Sequence, residues 1–294
     1  MRIFLTGATG FIGSKIVPEL IHAGHQVLGL TRSDHGARAL RLAGADAHAG
    51  DIEDLDSLRR GASACDAVIH TAFDHDFSHF VANCEKDRRV ILALGEALAG
   101  SARPLLITSG TPMGIVAPGQ PAIEDHFNAA HPNPRKASEL AGEELLARGV
   151  RVSVVRLSQI HDAEKQGLVT EMVALARATG VSPYVGDGSN GWSAAHVSDT
   201  VRLYRAALEH GEAGGRYHAT AESHIPFRDI AQAIGDRLGV PVIRLDEAAA
   251  AAHFGWLSHF VGHDMSASSA ATRERLGWQP TGPRLRDSLA QLRV

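Results

Sequence analysis

The chain has 294 residues, of which 44% are hydrophobic and 21% are charged. At about 150 residues per domain this length predicts one large domain or two modest ones, with ample apolar material for a buried core. Lys and Arg total 29 against 33 Asp and Glu, and no basic run stands out, which argues against a nucleic-acid-binding surface. No stretch approaches the roughly 18 apolar residues that a membrane span requires, so we expect no membrane partner.

Cysteine content and the start of the chain bear on its compartment. Cys65 and Cys84 are the two cysteines, too few for a disulfide framework, which favours an intracellular protein. Met1 and Arg2 lead straight into a short apolar strand, which leaves no room for a signal peptide. We therefore expect a cytoplasmic protein.

The first half of the chain alternates short β-branched runs with helical patterns. The runs predict strands at 2–6, 26–30, 67–70, 104–108 and 152–156, and the patterns between them predict helices at 11–23, 35–43, 54–62, 86–99 and 136–148. Strands that are apolar along their length are buried on both faces, and alternation with helices indicates a parallel sheet. The predicted fold class is α/β, with a doubly wound parallel sheet.

After residue 156 the pattern becomes mixed and mostly helical. It predicts helices at 167–179, 198–210, 246–252 and 284–292, a turn-rich loop at 186–191, and a strand at 216–220. We expect residues 1–164, rejoined by 192–222, to form the nucleotide-binding core. Residues 165–191 and 223–294 would form a smaller substrate-binding lobe over the carboxyl edge of the sheet, where ligands bind in such folds.

The strongest motif lies between the first strand and the first helix. It reads Thr6, Gly7, Ala8, Thr9, Gly10, Phe11, Ile12, Gly13. Gly7 would allow the tight turn, Gly10 would let the backbone approach a pyrophosphate, and Gly13 would let the helix pack on the strand. The motif therefore predicts a dinucleotide site, the alternative being a glycine-rich packing turn.

The residues after the second predicted strand indicate which dinucleotide binds. An NAD-selective site usually places a carboxylate there, on the ribose 2′-hydroxyl. Here Arg32 and Ser33 follow the strand, and Asp34 comes only afterwards. A guanidinium pairs well with a 2′-phosphate, so NADP(H) is predicted over NAD. The alternative is a solvated Arg32, with Asp34 binding the ribose.

Several segments together resemble a known family. In chain order they are the Thr6–Gly13 motif, Arg32-Ser33, Gly50-Asp51-Ile52, His70-Thr71-Ala72, Thr108-Ser109-Gly110-Thr111, Arg156-Leu157 and His196-Val197-Ser198-Asp199. The chain resembles the atypical extended short-chain dehydrogenases/reductases, the NAD-dependent epimerase/dehydratase-like members above all. The resemblance implies a seven-stranded Rossmann sheet, with Asp51 and Ile52 near the adenine and Thr71 and Ala72 near the cofactor ribose. It also implies a small-molecule substrate and homodimers through the helices at 86–99 and 136–148.

The family's Tyr-x-x-x-Lys pair is absent from this chain. Its three tyrosines and four lysines give no such spacing. By the resemblance, Arg135 takes the tyrosine place and Glu139 the lysine place, at the i,i+4 spacing that puts both on one helical face. We expect Glu139 to hold Arg135 towards a substrate oxygen or carboxylate. The alternative is a surface ion pair.

Other polar residues are candidates for the remaining chemistry. Ser109 or Thr111 would hold the substrate oxygen, unless they only satisfy a turn. Asp87 replaces the family's asparagine, which leaves that proton relay in doubt. His161 titrates in the useful range and would serve as acid or base, the alternative being a structural histidine bonded to backbone.

The segment 74–79 and the tryptophans give weaker signals. His75 and His79 have no evident third metal ligand, so no metal site is predicted and the segment is expected to shape the substrate mouth. Trp192 and the segment 254–256 would provide apolar walls of the site or pack in the core.

Three functions are compatible with these features. The first is an NADP(H)-dependent oxidoreductase acting on a small or medium carbonyl or alcohol. The second is a regulatory protein that senses NADP(H) without turnover, and the third is a redox-neutral isomerase or lyase that retains its cofactor. The missing Tyr-x-x-x-Lys pair favours the second, and the polar residues expected in the pocket favour the first.

Overall fold

A parallel sheet forms the centre of the molecule. The computed structural model describes residues 1–293. Within them the sheet consists of β1 (Arg2–Thr6), β2 (Gln26–Thr31), β3 (Asp46–Ala49), β4 (Ala67–His70), β5 (Leu105–Gly110), β6 (Val152–Leu157) and β10 (Arg216–Ala219). The seven strands run in the order β3-β2-β1-β4-β5-β6-β10, and every pair is parallel. The predicted doubly wound Rossmann sheet is confirmed.

Helices cover both faces of this sheet. Those of the first half are α1 (Gly13–His22), α2 (Asp34–Leu42), α3 (Leu55–Ser63), α4 (Phe80–Glu96) and α5 (Lys136–Ala147). Side chains of α1 and α7 (Val197–His210) pack with Leu106 on one face. Those of α3, α4 and α5 pack with Leu105 and Ile107 on the other, because successive strand residues point to opposite faces. The amino end of α5 lies near the carboxyl ends of β4 and β5, because Arg135, just before α5, donates to the Thr108 carbonyl and is linked to His70 through Asp87.

Two smaller sheets lie in the second half. The first contains β7 (Gln159–His161), β9 (Gly191–His196) and β11 (Glu222–Pro226), and the second contains β8 (Ser182–Val185) and β12 (Val242–Leu245). The remaining helices are α6 (Val169–Thr179), α8 (Phe227–Leu238), α9 (Glu247–Phe254), α10 (Ser258–Val261), α11 (Ala270–Leu276) and α12 (Leu285–Ala290). A third apolar cluster, which includes Trp192, Phe227 and Leu289, forms between them.

The structure contains strands that the sequence did not predict, namely β3, β7, β8, β9, β11 and β12. The prediction missed β3, which is short, half-exposed and without a β-branched residue. Of the segment 192–222, β10 joins the central sheet, whereas β9 pairs with β7 and β11 and buries Trp192 against Phe227. The boundaries between core and lobe stay a prediction. Across residues 1–293, no helix combines the length and the apolar character that crossing a membrane requires.

Candidate functional site

The glycine-rich turn at the carboxyl end of β1 has no room for side chains. Gly7 has φ +70°, and a Cβ there would lie 2.7 Å from the backbone nitrogen of Ala72. The Gly10 N–H donates to the Gly7 carbonyl at 2.9 Å, and a Cβ on Gly13 would come within 2.0 Å of the same oxygen. Because these positions are glycines, no side chain covers the backbone N–H groups at the start of α1, and a pyrophosphate could approach them closely.

A cleft opens beside this turn. Its lining residues come from the turn and α1 on one side and from the segment after β7 on the other, namely Thr9, Gly10, Phe11, Ser14, Lys15, Glu164 and Lys165. Ile12, the residue before α1, is half-buried and packs on the adjoining core cluster. Lys15 and Lys165 are exposed and line the cleft, so their ammonium groups are available to an anionic ligand at the amino end of α1.

Arg32 lies directly after β2 with its side chain 79% exposed. Its Nε is 3.6 Å from an Asp51 carboxylate oxygen, a loose contact that leaves the guanidinium accessible. Ser33 caps α2 by accepting a hydrogen bond from the Gly36 N–H at 3.1 Å. A guanidinium and a helix amino end thus share this corner, a combination that suits a phosphate.

Thr71 and Ala72 tie the end of β4 to the end of β1. The Thr71 hydroxyl donates to the Thr6 carbonyl at 2.8 Å, and the Ala72 N–H donates to the Thr6 hydroxyl at 3.3 Å. Ile52, in turn, lines a second cleft next to Lys86.

A buried polar cluster, here called the Asp87 cluster, joins β1, β4, α4 and the start of α5. It consists of Thr6, His70, Asp87, Arg135 and Ser138. The Thr6 hydroxyl lies 2.6 Å from His70 Nδ1, and His70 Nε2 lies 2.9 Å from Asp87 Oδ1. Asp87 Oδ2 accepts from Arg135 Nη1 and from the Ser138 hydroxyl, each at 2.5 Å. A continuous chain of hydrogen bonds therefore links the glycine-rich turn to Arg135.

Charge within this cluster is balanced. Burial would raise the pKa of Asp87, but the Arg135 guanidinium and the His70 ring hold that pKa well below its usual range. Arg135 also bonds Ser138 and donates to the Thr108 carbonyl at 3.1 Å, which occupies three of its five N–H groups. Its Nε–H and the second N–H of Nη2 have no acceptor within residues 1–293. The side chain is 15% exposed, so part of it is accessible to a ligand.

The expected pairing of Glu139 with Arg135 is wrong. Glu139 accepts two hydrogen bonds of 2.8 Å from Arg156 on β6 and one of 3.1 Å from Arg216 on β10. Arg156 and Glu139 are both buried, so removal of either side chain would leave the other as an unpaired buried charge and would destabilise the protein. Arg135 finds its carboxylate in Asp87 instead. Glu139 thus ties α5 to the sheet and does not contact Arg135.

Ser109 and Thr111 are both buried at the carboxyl end of β5. Ser109 shares the face of the sheet with Ile107, which packs in the same apolar cluster as Ala141 and Leu145 of α5. Its hydroxyl is buried and has no hydrogen-bond partner among residues 1–293. A buried hydroxyl without a partner is costly, so this atom is a candidate for a ligand contact.

His161 lies at the end of β7 and is fully buried. Its side chain is buried between β7 and α12, with Nδ1 2.9 Å from the Ser288 hydroxyl and the ring against His196. Burial and the neighbouring His196 lower the pKa of His161 to about 4. Nε2 of His161 has no hydrogen-bond partner among residues 1–293, and the expected role of His161 as acid or base stays a prediction that this buried position does not favour.

The segment after β4 forms aromatic contacts with the second half of the chain. Phe77 stacks on Trp256 with ring centroids 4.7 Å apart, and Arg135 lies 4.1 Å from the Phe73 ring centre. His79 pairs with Asp76 at 2.9 Å. Among the described residues no group of three or more metal-ligating side chains comes together.

Comparison with known proteins identifies the family. The model of the NAD dependent epimerase/dehydratase family matches residues 3–220, most of the chain. The chain belongs to this family. The uncharacterized protein C2A9.02 of Schizosaccharomyces pombe is 45% identical over 291 residues, covering 99% of this chain and 98% of that protein.

Two further relatives carry functional names. A 4-hydroxy-2-methyl-3-oxo-4-farnesyl-3,4-dihydroquinoline-1-oxide ketoreductase of Stigmatella aurantiaca is 26% identical over 87% of this chain and 80% of its own length. The crystal structure of the dTDP-glucose 4,6-dehydratase DesIV of Streptomyces venezuelae, with NAD and TYD bound, has a TM-score of 0.77. Its sequence is 22% identical, and the match covers 99% of this chain and 95% of that one, so this likeness shows the fold.

Sequence reasoning assigned no role to His70, Ser138 or Phe73, and it named Asp87 only as the counterpart of the family's asparagine. Ser138 follows Arg135 by three residues, so both lie on one helical face, a spacing that could have identified it. His70 and Asp87 occupy otherwise apolar positions of β4 and α4, and buried polar residues of this kind indicate a network. No signal in the sequence pointed to Phe73 as the ring beneath Arg135.

Proposed function

We propose that the protein is an NADP(H)-dependent oxidoreductase that interconverts a small or medium carbonyl compound and its alcohol. One observation carries the proposal above all. Arg135 presents two uncommitted N–H donors at the carboxyl edge of the sheet, and the neighbouring β5 carries the buried hydroxyl of Ser109 without a partner among residues 1–293. Donors held in place in this way are suited to a developing negative charge on oxygen.

The glycine-rich turn and the corner at Arg32 support the choice of cofactor. The turn would bind the pyrophosphate, with Thr9, Gly10 and Lys165 around it. Arg32 and the capped start of α2 would bind a 2′-phosphate, whose negative charge the exposed guanidinium offsets. Asp51 keeps Arg32 near this position through its 3.6 Å contact.

The role of Arg135 is to polarise the substrate oxygen. When bound, NADPH supplies a hydride to the carbonyl carbon and leaves as NADP⁺, while the oxygen gains a proton and becomes an alcohol. A guanidinium does not release its proton near neutral pH, so Arg135 stabilises the oxygen without protonating it. Ser109 would donate the second hydrogen bond to that oxygen, with water as the final proton source.

The Asp87 cluster fixes Arg135 for this role. Asp87, Ser138 and the Thr108 carbonyl hold three of its N–H groups, so the remaining two have a defined direction. Since Asp87 neutralises the guanidinium, the site favours a neutral carbonyl oxygen over a carboxylate.

The experiment is an NADPH oxidation assay with purified protein and a panel of aldehydes. Arg135→Ala should lower kcat/KM by about 10²–10³, as for loss of one oxyanion donor, with NADPH affinity nearly unchanged. Arg135→Lys should recover little of the kcat/KM lost in Arg135→Ala, because an ammonium group lacks the planar, forked donors of a guanidinium. Arg88→Ala is the control, since Arg88 lies on α4 and pairs with Glu144 away from the Asp87 cluster. Full activity in Arg135→Ala would overturn the assignment.

A second function, NADP(H) binding without turnover, is favoured by one feature. Asp87 and Arg135 already satisfy much of each other's bonding capacity, as in a purely structural ion pair. Tight NADPH binding combined with no oxidation by any aldehyde would establish this second function in place of the first.

A further inference from the structure

A group of aromatic side chains, here called the aromatic wall, connects the segment after β4 with the segment after α9. Its members are Phe73, His75, Phe77, Phe80, Trp256 and Phe260. Their ring centroids follow one another at distances of 4.7–6.3 Å. The wall is thus one connected surface, and Trp256 on it is 39% exposed.

One end of the aromatic wall is at the proposed oxygen-binding group. The guanidinium of Arg135 lies 4.1 Å from the centre of the Phe73 ring. His75 continues the wall from Phe73, with ring centroids 5.3 Å apart, and burial and the positive charges of Arg135 and Lys165 lower the pKa of His75. A substrate whose oxygen bonds Arg135 would therefore extend along the wall.

The charges around the wall do not favour a phosphorylated substrate. Arg135 is neutralised by Asp87, and Lys86 is held by Glu53 at 2.8 Å and by Asp74 at 3.0 Å. Asp76 adds a further exposed carboxylate, and hydrogen bonds from Ser78 and His79 lower its pKa to about 2. A diphosphate laid beside Asp74 and Asp76 would meet carboxylates instead of uncommitted cations.

We propose that the aromatic wall selects neutral carbonyl compounds with a planar apolar ring, and that nucleotide sugars are not substrates. This inference rests on the proposed function. The substrate ring would stack on the wall while its carbonyl oxygen accepts from Arg135. Aromatic pairs add to simple burial, so a planar ring should be preferred over a saturated ring of the same size by about three- to tenfold.

The test compares benzaldehyde with cyclohexanecarbaldehyde as substrates of the full-length protein in the NADPH oxidation assay. The measured quantity is the ratio of their kcat/KM values, in the wild type and in Trp256→Leu and Phe77→Leu. Phe127→Leu is the control, because Phe127 packs near Arg216 outside the wall. Binding of benzyl alcohol and of cyclohexylmethanol to the NADPH complex, measured by calorimetry, gives the same comparison without turnover, because both cofactor and ligand are then already reduced. UDP-glucose is added as a competitor.

The outcomes separate the two claims. The proposal predicts that the benzaldehyde preference falls by about three- to tenfold in both wall variants and persists in Phe127→Leu, with no inhibition by UDP-glucose. NADPH oxidation with an unchanged ratio, or strong inhibition by UDP-glucose, would overturn the substrate class and leave the oxidoreductase function standing. Absent oxidation, with benzyl alcohol binding that depends on Trp256, would overturn the oxidoreductase function and retain the ligand class. Absent oxidation without such binding would overturn both.

Discussion

The Asp87 carboxylate and the Arg135 guanidinium, 48 positions apart in the sequence, meet at 2.5 Å in the interior of the fold. Asp87 is on α4 and Arg135 immediately precedes α5, so the pair fixes the amino end of α5 beside the carboxyl ends of β4 and β5. Both the stability of this corner and the direction of the Arg135 donors depend on it.

Asp87→Asn should destabilise the protein by about 3–5 kcal/mol at pH 7, because it leaves the Arg135 charge without its buried partner. The measurement is the free energy of unfolding from denaturant titration. Since the folded pKa of Asp87 is depressed, its contribution is complete above the unfolded pKa of about 3.9 and is lost as the pH falls further. The difference between variant and wild type should therefore shrink below about pH 4.

Glu144→Gln is the matched control for this prediction. Glu144 also connects α5 to α4, through a 2.6 Å contact with Arg88, but both side chains are about one-third exposed. Its loss should cost no more than about 1 kcal/mol. Equal effects of the two substitutions would show that the Asp87 pair is no stronger than a surface contact.

Arg32→Ala should remove most of the preference for NADPH over NADH. A charged hydrogen bond contributes about 1.5–3 kcal/mol, so NADPH affinity should fall by about one to two orders of magnitude while NADH affinity stays nearly unchanged. Nucleotide fluorescence titration measures both constants. Arg41→Ala, in the last turn of α2, should change neither. Equal affinity of the wild type for the two nucleotides would refute the role of Arg32.

Gly13→Ala should abolish binding of both nucleotides. Its methyl group would come within 2.0 Å of the Gly7 carbonyl, so α1 or the turn must shift. Gly262→Ala is the control, because a Cβ there meets no atom within 4 Å and the backbone is in the right-handed region. Normal nucleotide binding by a folded Gly13→Ala variant would show that the turn is not a pyrophosphate site.

Stability should decrease as the pH falls from about 6.5 to about 4, because His161 is neutral in the folded state and charged when unfolded. The unfolded chain then binds more protons, so unfolding is favoured as the pH falls, by about 3 kcal/mol across this window for His161 alone. His218 acts in the same direction, since burial and Arg156 lower its pKa to about 3. His161→Phe should reduce the slope of unfolding free energy against pH. An unchanged slope would contradict the buried position of His161.

The sequence predicted the parallel sheet because five of its strands are apolar runs between clear helices. The glycine motif predicted the position of the glycine-rich turn after β1. It did not predict β3, whose residues Asp46–Ala49 have little β-propensity and are ordered by pairing with β2. Local spacing also misassigned Glu139. The i,i+4 rule describes neighbours on one helix, whereas Arg156 and Asp87 come from distant strands and helices and provide stronger buried partners.

His161 illustrates the same limit. Its position after a predicted strand placed it at the carboxyl edge, but that edge is covered there by α12, whose Ser288 contacts the ring. The approach of residue 288 to residue 161 depends on tertiary packing of the second half of the chain, which no local pattern encodes. Ser109 lies near the carboxyl end of β5, where its place after the predicted strand 104–108 put it, and its role stays a prediction.

The most direct test of the account is isotope transfer from the cofactor. Wild-type protein is incubated with benzaldehyde and NADPH deuterated at nicotinamide C4, in separate reactions with the label on each face, and the alcohol is analysed by mass spectrometry. Hydride transfer predicts one deuterium on the carbinol carbon from one of the two labelled cofactors and none from the other. Alcohol or rearranged product formed without deuterium from either cofactor, or no product from any aldehyde of the panel despite bound NADPH, would contradict the proposed oxidoreductase function.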